Sequence, residues 1–509
     1  MVEGLGSVEG LGSAEGLGSA EWDVAIIGAG FGGLGLAARL LDAGRERFVV
    51  LEAGQDIGGT WRDNTYPGAA CDVPSHLYSY SFFPATWPRR FARQPEILGY
   101  LRRLADAYGL WPRIRLGAEV VRLDFDEASC TWQVGLASGE TLRAKVVVSA
   151  VGQLQRPRIP ALPGLESFSG PSWHSARWRH DVDLRGLRVG VVGTGASAIQ
   201  FVPEVAKVAA QTVVFQRSAP YVVPKVDRAY RPAELALVRR VPVLRQLDRA
   251  RVYLYGESLG LGLVRSRAWL AALTWLWRRW MWSQVLDPAL RAACTPDSVM
   301  GCKRILFSND WYRTLRREDV VLVTEAVAEV LPGGVRTTSG REVALDALIF
   351  GTGFETTDFL STIEVSGRRG RRLAEHWAAG PRTHLGLASS GFPNLFFLYG
   401  PNTNLGSNSI LFMLEGQIAH VLGALATMEA AGLPALEVRP EVEAEFMAWV
   451  EAQSRRTAWT SGCRSWYTTA EGRNTHNWPS FTFLYRLQAD RFDPLAYRAV
   501  LPRVAAPVA

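Results

Sequence analysis

The stretch that decides the fold is Asp23-Val-Ala-Ile-Ile-Gly-Ala-Gly-Phe-Gly-Gly33, in which a short apolar strand runs directly into a glycine-rich turn. A helical stretch follows to about Ala43, and a second apolar strand, Phe48-Val-Val-Leu51, ends at Glu52. A strand, a helix and a second strand in this order form a βαβ unit. The unit predicts a parallel sheet with helices on its faces.

The same pattern returns further along the chain. The strand Leu187-Arg-Val-Gly-Val-Val192 leads into the turn Gly193-Thr-Gly-Ala-Ser-Ala198, and a helix and the strand Thr212-Val-Val-Phe215 follow. In each copy the residue 24 positions after the first glycine closes the second strand: Glu52 in one and Arg217 in the other. The sequence therefore predicts an α/β protein with two Rossmann-like dinucleotide-binding domains.

Both turns have the composition that a dinucleotide pyrophosphate requires. The first glycine permits a tight turn, the second lets the phosphates approach the backbone, and a small third residue lets helix pack on strand. The following helix N-terminus offers free N–H groups to the phosphates. Two ordinary tight turns would leave the matching spacing unexplained. We therefore predict nucleotide contacts at Gly28, Gly30 and Gly33 in the first turn, and at Gly193, Thr194, Gly195, Ala196 and Ser197 in the second.

The two residues at the strand ends indicate which nucleotide each unit binds. A carboxylate such as Glu52 accepts hydrogen bonds from both ribose hydroxyls and repels a 2′-phosphate, which suits FAD or NAD. The guanidinium of Arg217, followed by Ser218, can pair with a 2′-phosphate, which suits NADP. We therefore expect FAD in the first unit and NADPH in the second. A surface arginine without a partner remains the alternative for Arg217.

Composition narrows the remaining possibilities. The chain of 509 residues is 48% hydrophobic and 21% charged, which is typical of a protein with a large core. Five cysteines without a CxxC pair favour a reducing cytosol, and seven histidines show no metal-ligand spacing. We expect a cytoplasmic protein without a signal peptide, a membrane span, a metal or a nucleic-acid partner.

The domain layout follows from the two units and from changes in composition. A Gly-rich repeat predicts a disordered tail over 1–21, and the FAD domain is expected over 22–160 and again, with the C-terminal segment, over 341–509. The NADP domain is expected over 161–340, with a helical insert at about 228–300. Residues 225–293 carry thirteen Lys/Arg and five Asp/Glu. The tryptophan-rich insert predicts a wall of the substrate pocket in preference to an interfacial membrane helix.

A flavin site and a nicotinamide site in one chain imply hydride transfer between them. Disulfide reductases of this architecture need a redox cysteine pair beside the flavin, whereas Cys71 is alone in its region. Oxygen is therefore the expected electron acceptor.

Two longer motifs resemble the fingerprints of type I Baeyer–Villiger monooxygenases. Gly58-Gly-Thr-Trp-Arg-Asp-Asn-Thr-Tyr-Pro-Gly-Ala-Ala-Cys-Asp72 matches the first at every fixed position. Phe168, Gly170, His174 and Trp178 match the second, although Arg179 departs from its last position. The stretch from Trp178 to Asp181 is closer to the hydroxyacetophenone-oxidising and actinobacterial relatives. The resemblance covers about residues 22 to 500.

The resemblance implies a reaction and a set of roles. NADPH reduces FAD, O2 adds at the flavin C4a to give a peroxyflavin, and its anion attacks a ketone that rearranges to an ester or lactone. Arg304 matches the arginine that stabilises this anion, Asp72 the carboxylate that orients it, and His174 a residue that couples domain movement. The resemblance also places cofactor contacts at Gly59, Thr60, Trp61, Asp72, Tyr78, Val121, Lys303 and Trp466.

Several alternatives stay open at this point. The same flavin chemistry could oxygenate nitrogen or sulfur, or the chain could be a reductase that has lost its oxygen chemistry. By spacing alone, Lys303 and Arg304 could form a solvated basic dipeptide, and Trp466 could be a core aromatic residue. We expect a small-molecule ketone and O2 as partners and a monomer or homodimer as the assembly.

Overall fold

The computed structural model describes residues 21–356, 359–463, 465–469 and 471–503. The Gly-rich repeat lies outside these ranges, and so does the prediction that it forms a disordered tail.

Strands account for the two sheets that the sequence predicts and for three small sheets beside them. In chain order the strands are β1 (Glu21–Ile27), β2 (Phe48–Leu51), β3 (Ile114–Arg115), β4 (Val120–Asp126), β5 (Thr131–Leu136), β6 (Thr141–Ser149), β7 (Ser172–His174), β8 (Arg188–Val192), β9 (Gln211–Phe215), β10 (Val222–Val223), β11 (Leu306–Phe307), β12 (Val320–Val323), β13 (Val327–Leu331), β14 (Gly334–Thr337), β15 (Glu342–Ala344), β16 (Ala347–Phe350), β17 (Glu364–Ser366), β18 (Leu395–Phe397), β19 (Ala435–Val438) and β20 (Tyr497–Val500).

Helices cover the sheets and fill the region between β10 and β11. In chain order they are α1 (Phe31–Asp42), α2 (Thr60–Asp63), α3 (Gln94–Ala107), α4 (Ala198–Val205), α5 (Pro232–Arg240), α6 (Pro242–Val264), α7 (Arg267–Gln284), α8 (Pro288–Ala293), α9 (Trp311–Leu315), α10 (Leu373–His376), α11 (Ile410–Ala430), α12 (Pro440–Ser454) and α13 (Thr482–Ala489).

The first sheet contains eight strands in the order β17-β4-β5-β6-β1-β2-β3, with β18 beside β6. Its centre is parallel, because β1 pairs in parallel with both β2 and β6. The second half of β1, residues 24–27, is apolar without alternation, and its Ala25 and Ile26 are fully buried. Such a continuous apolar strand is typical of a parallel sheet covered on both faces. α1, α3 and α11 belong to the hydrophobic core of this unit.

The second sheet contains five parallel strands in the order β12-β9-β8-β16-β7. β16 lies between β8 and β7, with Ile349 opposite Val191. The chain therefore does not leave the second unit at residue 341, as the sequence suggested, and first returns to the first sheet at β17. The sequence missed this because a short buried apolar strand carries no signal for which of two parallel sheets it joins.

The predicted helical insert is α5 to α8, between β10 and β11 of the second unit. It makes no part of the large cavity described below, whose lining includes no residue of 228–300. This cavity therefore gives no support to the prediction that the insert walls the substrate pocket. The insert instead lies behind that wall, where Glu257 Oε1 accepts a hydrogen bond from Asn408 at 2.8 Å.

One described helix, α11, is long and apolar enough to cross a membrane by length and composition, which the sequence analysis had not expected. It contacts α1 and α13, and 56% of its most apolar window is buried within the protein. Gln417 in its middle donates to Tyr485 of α13 at 2.9 Å. In this structure α11 is therefore a core helix of the first unit.

Candidate active site between the two glycine-rich turns

Both glycine-rich turns open into one cavity of about 1050 Å³. Of the residues that the sequence selected for catalysis or cofactor binding, only Gly33 and Val121 do not line it. The cavity lining includes the others: Gly28, Gly30, Glu52, Gly59, Thr60, Trp61, Asp72, Tyr78, Gly193, Thr194, Gly195, Ala196, Ser197, Arg217, Ser218, Lys303, Arg304 and Trp466.

The two exceptions have different explanations. Gly33 lies where α1 crosses β1, and a Cβ there would be 1.9 Å from Gly28 O, so this glycine permits close packing of helix and strand. Val121 was selected for a flavin contact, and that contact stays a prediction, because Val121 itself does not line the cavity. The register shifts between Val120 and Arg122, and Val120 lines the cavity instead. A bulge of this kind is invisible in the sequence pattern.

The backbones of the two turns are nearly identical at their first glycines. Gly28 has φ +103° and Gly193 has φ +101°. A Cβ on Gly28 would lie 2.8 Å from Ala150 O, and one on Gly193 would lie 2.6 Å from Gly351 O. A side chain is therefore excluded at both positions by φ and by the neighbouring strand. These are the cradles that a pyrophosphate needs, and FAD and NADP fit them.

Glu52 is held ready at the end of β2. Its carboxylate is buried and accepts hydrogen bonds from the amides of Ala29 and Gly54, both at 2.8 Å. Arg62 Nη1 also donates to Glu52 Oε1 at 2.6 Å. Burial lowers the pKa of Arg62, but its bonds to Asp63 and Glu52 outweigh that and raise it overall. Arg62 is a cavity residue that the sequence did not single out, although it lies within the first fingerprint.

Two cationic side chains from distant parts of the chain lie near the second turn. Arg217 is exposed on the cavity wall. Lys303 Nζ donates to Ser218 Oγ at 2.9 Å, which brings this lysine beside the residue that follows Arg217. Thr194 Oγ1 donates to Ser218 O at 3.4 Å, so the same pair adjoins the glycine turn. Two cations at the end of β9 suit a ribose 2′-phosphate.

Gln200 of α4 joins the first fingerprint to the second unit. Gln200 Oε1 accepts hydrogen bonds from Tyr66 Oη and from the amide of Ala70, each at 3.2 Å. Gly68 has φ +81°, and a Cβ there would lie 2.6 Å from Gln200 O. The Tyr-Pro-Gly part of the motif therefore serves as a joint between the two units at the cavity.

Asp72 makes a different contact from the expected one. Lys225 Nζ lies 3.4 Å from Asp72 Oδ1 and 5.0 Å from the centroid of the Phe91 ring. Gln200 Nε2 donates to the same Oδ1 at 3.3 Å. Among the described residues, no hydrogen bond or ion pair joins Asp72 to Arg304, so Asp72 does not hold that arginine directly in this structure. Lys225, on the loop after β10, was not selected from the sequence for this site.

Arg304 lines the cavity, and its guanidinium bonds no carboxylate among the described residues. Burial alone would lower the pKa of Arg304, but the acidic groups of Tyr467, Asp72 and Tyr399 hold it above its usual value. Burial conversely raises the pKa of Tyr399 to about 12. Arg304 is therefore a fixed cation, and the neighbouring phenol stays neutral at physiological pH.

The Trp466 segment is tied to the arginine segment by a disulfide. Cys302 and Cys463 are bonded, with their Cα atoms 6.2 Å apart and a sequence separation of 161. Trp466 contacts Tyr467 and His476, with ring centroids 4.4 and 5.3 Å apart. The cysteine count did not predict this pairing. Disulfides are rare in a reducing cytosol, so the bond counts against the compartment that the count suggested.

His174 and Cys71 take no part in acid–base or thiolate chemistry in this arrangement. His174 does not line the cavity, and its Nδ1 accepts the amide of Ala176 at 3.1 Å. Burial lowers the pKa of His174 to about 4, so the ring is neutral. Burial raises the pKa of Cys71 to about 12, which keeps this cavity-lining thiol protonated.

Comparison with known proteins agrees with this geometry. The model for flavin-binding monooxygenase-like proteins matches residues 21–252. A Baeyer–Villiger monooxygenase of Pseudomonas aeruginosa is 43% identical over 486 residues, which cover 95% of this chain and 92% of that relative. The chain belongs to the Baeyer–Villiger monooxygenase family.

Solved structures in this family share the whole architecture. An oxidised steroid monooxygenase bound to NADP has a TM-score of 0.85 and 32% identity, covering 95% of this chain and all of that one. The OTEMO complex with FAD and NADP has a TM-score of 0.82 and 29% identity, covering 92% and 97%. The predicted family, the pair of Rossmann-like domains and the FAD and NADP cofactors of this monooxygenase are thereby confirmed.

Proposed function

We propose that this monooxygenase inserts one oxygen atom of O2 beside the carbonyl of a small-molecule ketone, giving an ester or lactone, and that Arg304 is its catalytic cation. FAD held by the Gly28–Gly30 turn and Glu52 would supply the acceptor for the hydride of NADPH and the means to activate O2. The observation that carries the proposal is the position of Arg304, which lines the cavity shared by both cradles and has no bonded carboxylate among the described residues.

The charge of Arg304 decides between the possible oxygen acceptors. A guanidinium stays protonated in proteins, so it favours an anionic oxygen nucleophile over a protonated electrophile. A ketone carbonyl reacts with a nucleophile, whereas sulfides and amines react with an electrophile. Arg304 therefore favours ketones.

Asp72 acts on this cation through its charge, and Lys225 acts on Asp72. Asp72 is among the groups that raise the pKa of Arg304, although its own ion pair is with Lys225. Lys225 and Gln200 hold the carboxylate at one edge of the cavity, and the arginine side chain stays available to the reacting oxygen.

The remaining roles belong to cofactor binding. Glu52 accepts hydrogen bonds from the ribose hydroxyls of FAD, while Arg217 and Lys303 pair with the 2′-phosphate of NADPH. Trp466 also lines the cavity and supplies an aromatic surface for the nicotinamide half of the nucleotide.

The direct test is product analysis. Purified holoenzyme with NADPH and O2 is offered a panel of ketones, sulfides and amines, and mass spectrometry follows the gain of one oxygen atom. Ester formation from ketones supports the proposal. Oxygenation confined to sulfides or amines would replace it with the heteroatom alternative, and NADPH oxidation that yields only hydrogen peroxide with every acceptor would favour the reductase alternative.

The cytoplasmic location is proposed from the sequence alone and has its own measurement. Alkylation of thiols in freshly lysed cells, before any oxidation, counts the reactive cysteines after denaturation. Five alkylated cysteines would support a reducing compartment, and three would place the Cys302–Cys463 bond in the living cell and contradict it.

A further inference from the structure

The helical insert exposes apolar side chains that a water-facing surface normally lacks. We define the Trp–Arg face as the exposed side of α6 and α7, represented by Leu247, Leu254, Trp275, Leu276 and Trp282. Leu254 is 65% exposed, Trp275 57% and Leu276 54%. The two helices lie side by side, since Trp269 Nε1 of α7 donates to Ser258 O of α6 at 2.9 Å.

The exposed apolar residues are arranged in stripes. On α6, Val243, Leu247, Leu254 and Leu261 recur at intervals of four and seven residues, which places them along one side of the helix. The buried residues Val252, Gly256 and Leu263 lie on the opposite side. α6 is thus apolar on two opposite sides. The side with Val252 and Leu263 is buried within the protein, and the other side is exposed to solvent.

α7 repeats this arrangement with larger side chains. Trp275, Arg279 and Trp282 share one side of the helix, whereas Leu270, Trp277 and Met281 are buried on the other. The guanidinium of Arg279 lies 5.2 Å from the centroid of the Trp275 ring. Tryptophan and arginine in contact form a surface that is apolar and cationic at once.

The charge of this face is positive and uncompensated. Arg251, Arg278 and Arg279 form no ion pair within the part of the chain that the structure describes. The nearby carboxylates are engaged elsewhere: Asp248 pairs with His76 at 2.7 Å, and Glu257 bonds Asn408. Residues 225–293 as a whole carry thirteen Lys/Arg and five Asp/Glu, so the insert is strongly basic.

We propose that the Trp–Arg face is a docking surface for an anionic lipid membrane. Tryptophan rings settle at the level of the lipid headgroups, and leucines enter the acyl boundary. Arginines meet anionic headgroups while their aliphatic stems cover apolar surface. A second copy of this chain is disfavoured as the occupant because a self-complementary contact would set these arginines against one another. The docking is peripheral, since no described helix of the insert crosses the bilayer by length and composition.

The test measures co-sedimentation of the holoenzyme with sucrose-loaded vesicles. We expect binding to vesicles of phosphatidylcholine with 30% phosphatidylglycerol to exceed binding to pure phosphatidylcholine by at least about tenfold, and to fall severalfold in about 0.5 M NaCl. Equal binding to both vesicles, or no binding to either, would overturn the proposal without any variant.

Two variants and a matched control locate the surface. Trp275→Ser with Trp282→Ser removes the rings, and Arg278→Glu with Arg279→Glu reverses the charge without touching the core. Leu487→Ser with Leu495→Ser removes two leucines that are as exposed, at 70% and 76%, on the first unit. We expect both insert variants to lose most vesicle binding and the control to keep it, with FAD content unchanged in all three.

Light scattering distinguishes the rival occupant. One outcome would assign the face to a second copy of the chain and refute the membrane proposal. In it, the wild-type protein is a dimer that does not bind anionic vesicles, and the tryptophan variant is a monomer. Loss of vesicle binding in the control alone would place the lipid contact on the first unit and refute it as well.

Discussion

The two glycine-rich turns have nearly the same backbone conformation. They differ in the residue at the end of the strand that follows each turn, and in what holds that residue in place. In the first unit, Glu52 is buried and receives the amides of Ala29 and Gly54, so its neighbours in sequence fix its position. In the second, Arg217 is exposed, and its partner cation Lys303 comes from a segment beyond the helical insert. The first unit therefore builds its nucleotide selectivity locally, and the second builds it by tertiary folding.

The largest effect is expected where the two turns differ in their third small residue. Gly33→Ala puts a methyl group 1.9 Å from Gly28 O, whereas the second unit already carries Ala198 at the matching position. We expect Gly33→Ala to lose essentially all bound FAD, measured by flavin absorbance per protein. Gly99→Ala, whose Cβ would meet only the end of Arg103 at 3.5 Å, is the control and should keep full flavin. Normal FAD content in Gly33→Ala would show that helix–strand spacing is not fixed here.

The next effect concerns Arg304, which lies where the two units meet. Arg304→Ala should bind FAD and be reduced by NADPH, yet form less than about a hundredth of the ester per NADPH, because one fixed charge on a developing anion stabilises it by about 3 kcal/mol. Hydrogen peroxide should appear instead. Arg304→Lys should recover only part of the coupling, since it keeps the charge without the planar fork. If Arg304→Ala forms as much ester per NADPH consumed as the wild type does, Arg304 serves cofactor binding and not catalysis.

Because folding brings Lys303 beside the end of β9, Lys303 and Arg217 should both contribute to the preference for NADPH over NADH. Arg217→Ala and Lys303→Ala should each lower the preference for NADPH over NADH by roughly one to two decades, because a charged contact contributes about 1.5–3 kcal/mol. kcat/KM for NADH should hardly change. The double variant should lose less than the two single losses combined, since both cations bind one phosphate. Arg185→Ala, an exposed arginine elsewhere on the second unit, is the control, and an unchanged preference in both single variants would refute the site.

A smaller effect is expected for Lys225, which the sequence did not assign to the site. Lys225→Met keeps the side-chain volume and removes the partner of Asp72, and we expect a several-fold loss of coupling with NADPH binding unchanged. Asp72→Asn should produce a similar loss, and the two substitutions together should be no worse than either alone. Full additivity in this double-mutant cycle would show that Lys225 acts independently of Asp72.

The smallest effect on turnover is expected at the disulfide. Cys463→Ser frees the Trp466 segment from the Lys303–Arg304 segment, so the KM for NADPH should rise by about threefold or less while kcat stays within error. Loss of the cross-link should also lower the free energy of unfolding by about 2–4 kcal/mol. Dithiothreitol should reproduce both changes in the wild-type protein and have no further effect on the variant. A response of the variant to dithiothreitol would point to another redox-sensitive group.

Sequence alone determined the parts of this protein that depend on neighbouring residues. The βαβ units, both pyrophosphate turns and Glu52 could be predicted because a turn, a strand end and a helix N-terminus are all built within about thirty residues. The family resemblance also identified Lys303 and Arg304, which lie outside both fingerprints, although nothing local explains why these two residues matter.

Only the tertiary structure decided which distant groups meet. In the folded protein β16 lies in the second sheet, Cys302 is bonded to Cys463, and Asp72 forms its ion pair with Lys225. The described residues of the insert do not line the cavity. Each of these depends on a contact between segments that lie more than a hundred residues apart or on the packing of a whole helix. The periodicity of a sequence records which residues are buried, but it does not record against what they are buried.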